Sequence, residues 1–131
     1  MLNRTVSAVS TDTKKTILIV DNQPRETAAL HKRLESSGFK THVAHTGTGA
    51  INKIEEQPPD LVLLEVSLSD IDALEVVSFI RNDSKNCLIP VLAMSVFPHM
   101  KDRSLRGGCN DFFQKPIKIV DLVARIRKAL R

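Results

Sequence analysis

The chain has 131 residues, 42% hydrophobic and 26% charged, with a formal net charge of +4. That is one domain with enough apolar material for a core, and no apolar run approaches the length of a membrane span. With no long apolar secretory segment at the N-terminus, the chain reads as cytoplasmic. Cys87 and Cys109, lacking CxxC or metal spacing, then read as two small buried apolar side chains.

Residues 1–14 are rich in Ser and Thr, lack periodicity and read as a flexible leader; residues 15–131 read as the domain. Ile17-Leu18-Ile19-Val20 is a short apolar, β-branched run, as expected of a strand buried on both faces. Pro24 suits a first helical turn. Ala28, Leu30 and Leu34 follow as a helical stripe that Gly38 stops. Residues 39–44 form a weaker strand. Residues 49–57 form a helix with Ala50, Ile51 and Ile54 inward, ended by Pro58-Pro59. Residues 61–64 are a second fully apolar strand, and 73–81 a helix with Leu74, Val77, Phe79 and Ile80 on its apolar side. Pro90 opens a strand over 91–94, a short helix over 99–106 is closed by Gly107-Gly108, and Phe112-Phe113 is a short strand. The last helix, 117–130, carries Ile119, Leu122, Val123, Ile126 and Leu130 three or four apart.

Strand and helix alternate five times, the pattern of an α/β domain whose open parallel sheet is covered on both faces. Right-handed crossovers bring every strand C-terminus to one edge, where such sheets carry their site. The polar residues at that edge are Asp21 and Asn22 after the first strand, Glu65 after the third, Ser95 after the fourth and Lys115 after the fifth. His31, His42, His45 and His99 are scattered and do not read as metal ligands. Residues 97–131 carry nine basic and three acidic side chains, a net +6, which leaves −2 for residues 1–96. A basic C-terminal third suits an acidic partner surface or nucleic acid, and equally a solvated helix face. The lack of Trp and Tyr weakens single-strand binding, which uses stacking.

In order and at these separations, ILIVDNQPRE, GFKTHVAHTG, PPDLVLLEVSLSDIDALE, IPVLAMS and GGCNDFFQKP resemble the receiver domain of two-component response regulators, over nearly the whole of 15–131. The resemblance implies a flavodoxin-like three-layer sandwich with a five-stranded parallel sheet of order 2-1-3-4-5 and five helices. It also implies a phosphoacceptor position at Glu65, an acidic pair at Asp21 and Asn22, and phosphoryl-contact and switch residues at Ser95, Phe112 and Lys115. The bond before Pro116 is often cis in that family.

Two departures fall on the chemistry. The family's acceptor is Asp, here Glu65; its second metal-binding acid is here the neutral Asn22. Mg²⁺ favours carboxylate and water oxygens in near-octahedral array, so no cofactor is expected beyond weak Mg²⁺ at Asp21, Asn22 and Glu65. A Glu carboxylate can attack phosphorus. Its extra methylene nevertheless moves it by roughly 1 to 1.5 Å, and a displacement of that order can cost ~100-fold. Either the longer carboxylate reaches Lys115 and Ser95 and mimics the phosphorylated state, or it pairs with Lys115 as scaffold. Ser69 and Ala73 replace a usual Pro and Gly; Asp72 is expected to cap the following helix, and Asp70 to be solvated.

The expectation is a signalling module, not an enzyme: an atypical, pseudo-receiver domain acting without aspartyl phosphorylation. Its face of fourth helix, fifth strand and fifth helix would meet a histidine kinase, an output domain or another regulator, or a second copy through residues such as Asp102 and Arg127. The alternatives are a slowly phosphorylated receiver in a phosphorelay, the receiver fragment of a DNA-binding transcriptional regulator, and direct nucleic-acid binding by the last helix. A hydrolase is disfavoured, since Glu65 lacks a neighbouring second acid or base and no cap segment excludes water.

Overall fold

The computed structural model describes residues 14–131, so the expected leader lies outside the described residues apart from Lys14. Five parallel strands, β1 (Thr16–Val20), β2 (Lys40–Ala44), β3 (Leu61–Glu65), β4 (Val91–Ser95) and β5 (Asp111–Gln114), form one sheet in the order β2-β1-β3-β4-β5. The three central strands are almost wholly buried, because helices cover both faces and each side chain must enter a core whichever way it points.

The period of two along each strand divides the core into two clusters. Ile17, Ile19, Leu61, Leu63, Leu92, Met94 and Phe113 pack with Leu34 of α1 (Pro24–Ser36) and with Leu122 and Ile126 of α5 (Ile119–Ala129). Leu18, Val20, Val62, Leu64, Val91, Ala93 and Phe112 face the other way. They meet Ala50 and Ile54 of α2 (Gly47–Glu56), Val76, Val77 and Ile80 of α3 (Ala73–Asn82), and Met100 of α4 (Met100–Arg106). At φ 98°, Gly38 turns the chain after α1, and the Phe39 N–H reaches Leu34 O at 3.1 Å.

Several local expectations shift. In α1 the inward residues are Thr27, Leu30 and Leu34, and Ala28 is exposed. Helix α3 buries Ala73, Val76, Val77 and Ile80, leaving Leu74 and Phe79 at its flanks. Helix α2 starts at Gly47, two residues early, because two side chains cap its first turn. Only Cys109 is buried, which pushes its thiol up to about 11; Cys87 is partly exposed.

Candidate functional site

Backbone hydrogen bonds continue the ladders past the strand ends and so fix the residues at the sheet's C-terminal edge. Asp21 N–H donates to Ala44 O (3.0 Å), Val66 N–H to Met94 O (2.9 Å) and Lys115 N–H to Ser95 O (2.8 Å). Asp21, Glu65 and Lys115 share the strand parity of Ile19, Leu63 and Phe113, which places all three on the α1–α5 side.

Their side chains meet there. The Lys115 ammonium donates to Asp21 Oδ2 at 2.9 Å and to Glu65 Oε1, and a third carboxylate, Glu26 Oε1 from the first turn of α1, lies 2.7 Å away. The Asp21 and Glu65 side chains are 2% and 8% exposed and Lys115 10%, whereas Glu26 is 51% exposed. The second oxygen of each buried acid is also engaged: Asp21 Oδ1 accepts from Gln23 N–H (3.0 Å) and Glu65 Oε2 from Ser67 N–H (3.0 Å). Burial by itself pushes the Lys115 ammonium down, but the hydrogen bonds it donates to Glu26, Glu65 and Asp21 outweigh it, and its pKa lies above the ordinary lysine value. The Lys115–Pro116 peptide bond is cis. Glu26 was not among the expected site residues; its signal was an acid in the turn after Pro24, five positions beyond Asp21.

The other expected residues are placed differently. Ser95 is fully buried, and its Oγ accepts from the Phe97 N–H at 3.0 Å. It shares the parity of Val91 and Ala93, and no hydrogen bond joins it to Glu65 among the described residues. Among the described residues Glu65 bonds Lys115 and Ser67. Phe112 is buried in the α2–α4 cluster, in the inward position. Asn22 is half-buried and makes no side-chain hydrogen bond among the described residues.

The loop after Glu65 is tied down by its acids. Asp72 caps α3, accepting from Leu74 N–H (2.9 Å) in a capping box with Glu75. Its other oxygen pairs with Arg103 of α4 at 2.6 Å. Asp70 is exposed, as expected, and also accepts from the N–H groups of Gly47 and Thr48 (2.9 Å each) and from Thr48 Oγ1 (2.8 Å). These bonds hold its carboxyl well below the usual aspartate range.

The donor set does not suit Mg²⁺ as it stands. An ion needs carboxylate oxygens at about 2.1 Å, and the oxygens of Asp21, Glu26 and Glu65 that converge already hold Lys115. Nor do the histidines make a metal centre among the described residues: His31 Nδ1 pairs with Thr41 Oγ1 and His45 Nδ1 with Asp21 O.

The basic third of the chain is less free than its composition implies. Lys115 is inside the crevice. Arg103, Arg106 and Arg125 pair with Asp72, Asp102 and Asp111, and Arg127 donates to Ser37 O (3.0 Å) over the Phe39 ring. Asp102 and Arg127, expected at a self-association surface, thus have partners within the chain. Lys101, Lys118, Lys128 and Arg131 remain exposed without an ion pair among the described residues. No helix among the described residues is long and apolar enough to cross a membrane.

Comparison with known proteins gives a consistent assignment. The model of the response regulator receiver domain matches residues 17–127. The chain is 33% identical over 117 residues to the transcriptional regulatory protein TrcR of Mycobacterium tuberculosis, spanning 88% of this chain and 45% of that protein. It is 29% identical over 118 residues to the polar-differentiation response regulator DivK of Brucella ovis, spanning 88% of this chain and 96% of DivK. Among solved structures, a two-component response regulator from Clostridium difficile superposes with a TM-score of 0.83 at 29% identity, over 90% of this chain and 97% of that one. The receiver domain of a signal transduction histidine kinase from Syntrophus aciditrophicus does so with a TM-score of 0.82 at 28% identity, over 88% and 89%.

Proposed function

The chain belongs to the response regulator receiver domain family of two-component signalling, and from that premise we propose that it is a pseudo-receiver, a module that signals by binding protein without phosphorylation of Glu65. The observation that carries this reading is the Lys115 ammonium, held by Glu65 together with Asp21 and Glu26. In-line phosphoryl transfer needs a nucleophile free to attack and cations free to gather the equatorial oxygens. Here the carboxylate at the acceptor position and the lysine neutralise one another, and the neutral Asn22 brings no charge to a metal. The clamp is a permanent charge-assisted contact, so the domain holds one state and needs no cofactor.

On this reading the protein is a cytoplasmic binding module and not an enzyme. Its contact face is α4, β5 and α5, where Leu105 and Val120 are exposed, 39% and 77% respectively, beside Lys101, Lys118 and Lys128. A histidine kinase, an output domain or another regulator with an apolar, acid-rimmed patch fits that surface. The few unpaired cations favour protein over nucleic acid, whose binding rests on many phosphate contacts. Incubation with acetyl phosphate and Mg²⁺, followed by intact mass measurement, tests the central claim. No phosphoryl adduct is expected; an adduct that Glu65→Gln abolishes overturns it.

A further inference from the structure

The misfit between this pocket and Mg²⁺ has a positive counterpart. Three carboxylate oxygens converge from three separate elements: Asp21 after β1, Glu26 on α1 and Glu65 at the end of β3. What they converge on is an ammonium. It lies within hydrogen-bond distance of all three, so a divalent ion using the same oxygens would have to occupy much the same space. Two of the acids are buried and are held from behind by the N–H groups of Gln23 and Ser67. Glu26 is the half-exposed member, and it is the one that closes the lysine in from the solvent side.

We propose that Lys115 is the resident cation of this site, taking the place of a divalent ion, and that Glu26 is the positioning residue that latches it there. This rests on the reading of the site as phosphorylation-independent and names the device that makes it so. Without Glu26, Lys115 retains two partners but loses the one on its open side, and exchange of its ammonium protons with water is no longer obstructed. Without the ammonium, three uncompensated carboxylates remain around a space that a cation fits.

Mn²⁺ binding, read by electron paramagnetic resonance, tests this in the wild type, Lys115→Met, and Lys115→Met combined with Glu26→Gln. Lys115→Met is expected to bind Mn²⁺ about tenfold or more tightly than the wild type, since a positive charge leaves and three acids stay. The double variant is expected to lose most of that gain. Equal affinity in the wild type and Lys115→Met overturns the proposal, as does a double variant that binds as tightly as the single one. Should Lys115→Met fail to fold, the ¹⁵N signal of the Lys115 ammonium decides: sharp and slowly exchanging in the wild type, broadened in Glu26→Gln. An unchanged signal in Glu26→Gln removes the latch. Phosphorylation of Glu65 with the Mn²⁺ contrast intact sinks only the phosphorylation-independent reading. No contrast and no phosphorylation sinks only the resident cation.

Discussion

Arg81, at the C-terminal end of α3, donates from Nη2 to the side-chain oxygen of Asn110 at 2.8 Å, and that same oxygen accepts the Val91 N–H at 2.8 Å. The guanidinium also reaches Gly108 O, Cys87 O and Ile89 O at 2.7 to 3.1 Å. One side chain therefore joins the end of α3 to the segments leading into β4 and β5, the strands that carry Ser95 and Lys115 to the edge. Arg81→Met keeps the aliphatic stem but strands several half-buried carbonyls, and is expected to destabilise the fold by about 2–4 kcal/mol. A lower urea midpoint at unchanged slope would confirm it.

If Asn22 and Glu65 silence the site, returning both to aspartate should reopen it. The shorter carboxylate withdraws from Lys115 by roughly one methylene, about 1–1.5 Å, and the change at Asn22 adds the missing negative charge. Mg²⁺ binding and phosphorylation by acetyl phosphate are expected to appear in Asn22→Asp/Glu65→Asp. A double variant that stays inert in both assays shows that the lock is wider than these two positions.

Asp72→Ala removes the N-cap of α3 and is expected to cost about 1 kcal/mol. The pair with Arg103 adds little to that figure, being half exposed and screened by salt. The Asp72 carboxyl lies below its ordinary range, held first by the Arg103 hydrogen bond and then by the Leu74 N–H. A depressed carboxyl stabilises above its unfolded value and loses that contribution as pH falls through the folded one. The stability difference between wild type and Asp72→Ala should therefore be full above about pH 4 and shrink below it, as urea titrations over acid pH would measure.

Ser95 serves the turn after β4, through the Phe97 N–H, and not the Lys115 clamp. Ser95→Ala is expected to lose about 1 kcal/mol while leaving the Lys115 ammonium signal in place. A loss of that signal would place Ser95 in the clamp after all.

The alternation of apolar runs was enough to read five strands and five helices, because a strand buried on both faces and an amphipathic helix each have a local period that sequence displays. It also located Asp21, Glu65 and Lys115, since a charged residue ending a buried run must lie at the sheet edge. Helix faces were less legible: Ala28 and Leu74 fit a periodic stripe, yet α1 turns Thr27 inward and α3 turns Ala73 and Val76.

The sequence by itself thus determined the alternation of strands and helices and three of the four members of the charged cluster, from patterns a few residues long, whereas the strand order came with the resemblance to receiver domains. Tertiary structure decided which partners meet: that Glu26 completes the hold on Lys115, that Ser95 bonds the Phe97 N–H, that Asp70 caps α2 across a loop, and that five of the nine basic side chains of residues 97–131 are engaged within the chain. Lys115 lies 94 positions from Asp21 and 50 from Glu65. Contacts at such separations depend on strand order, register and side-chain parity acting together, and no local period encodes that combination.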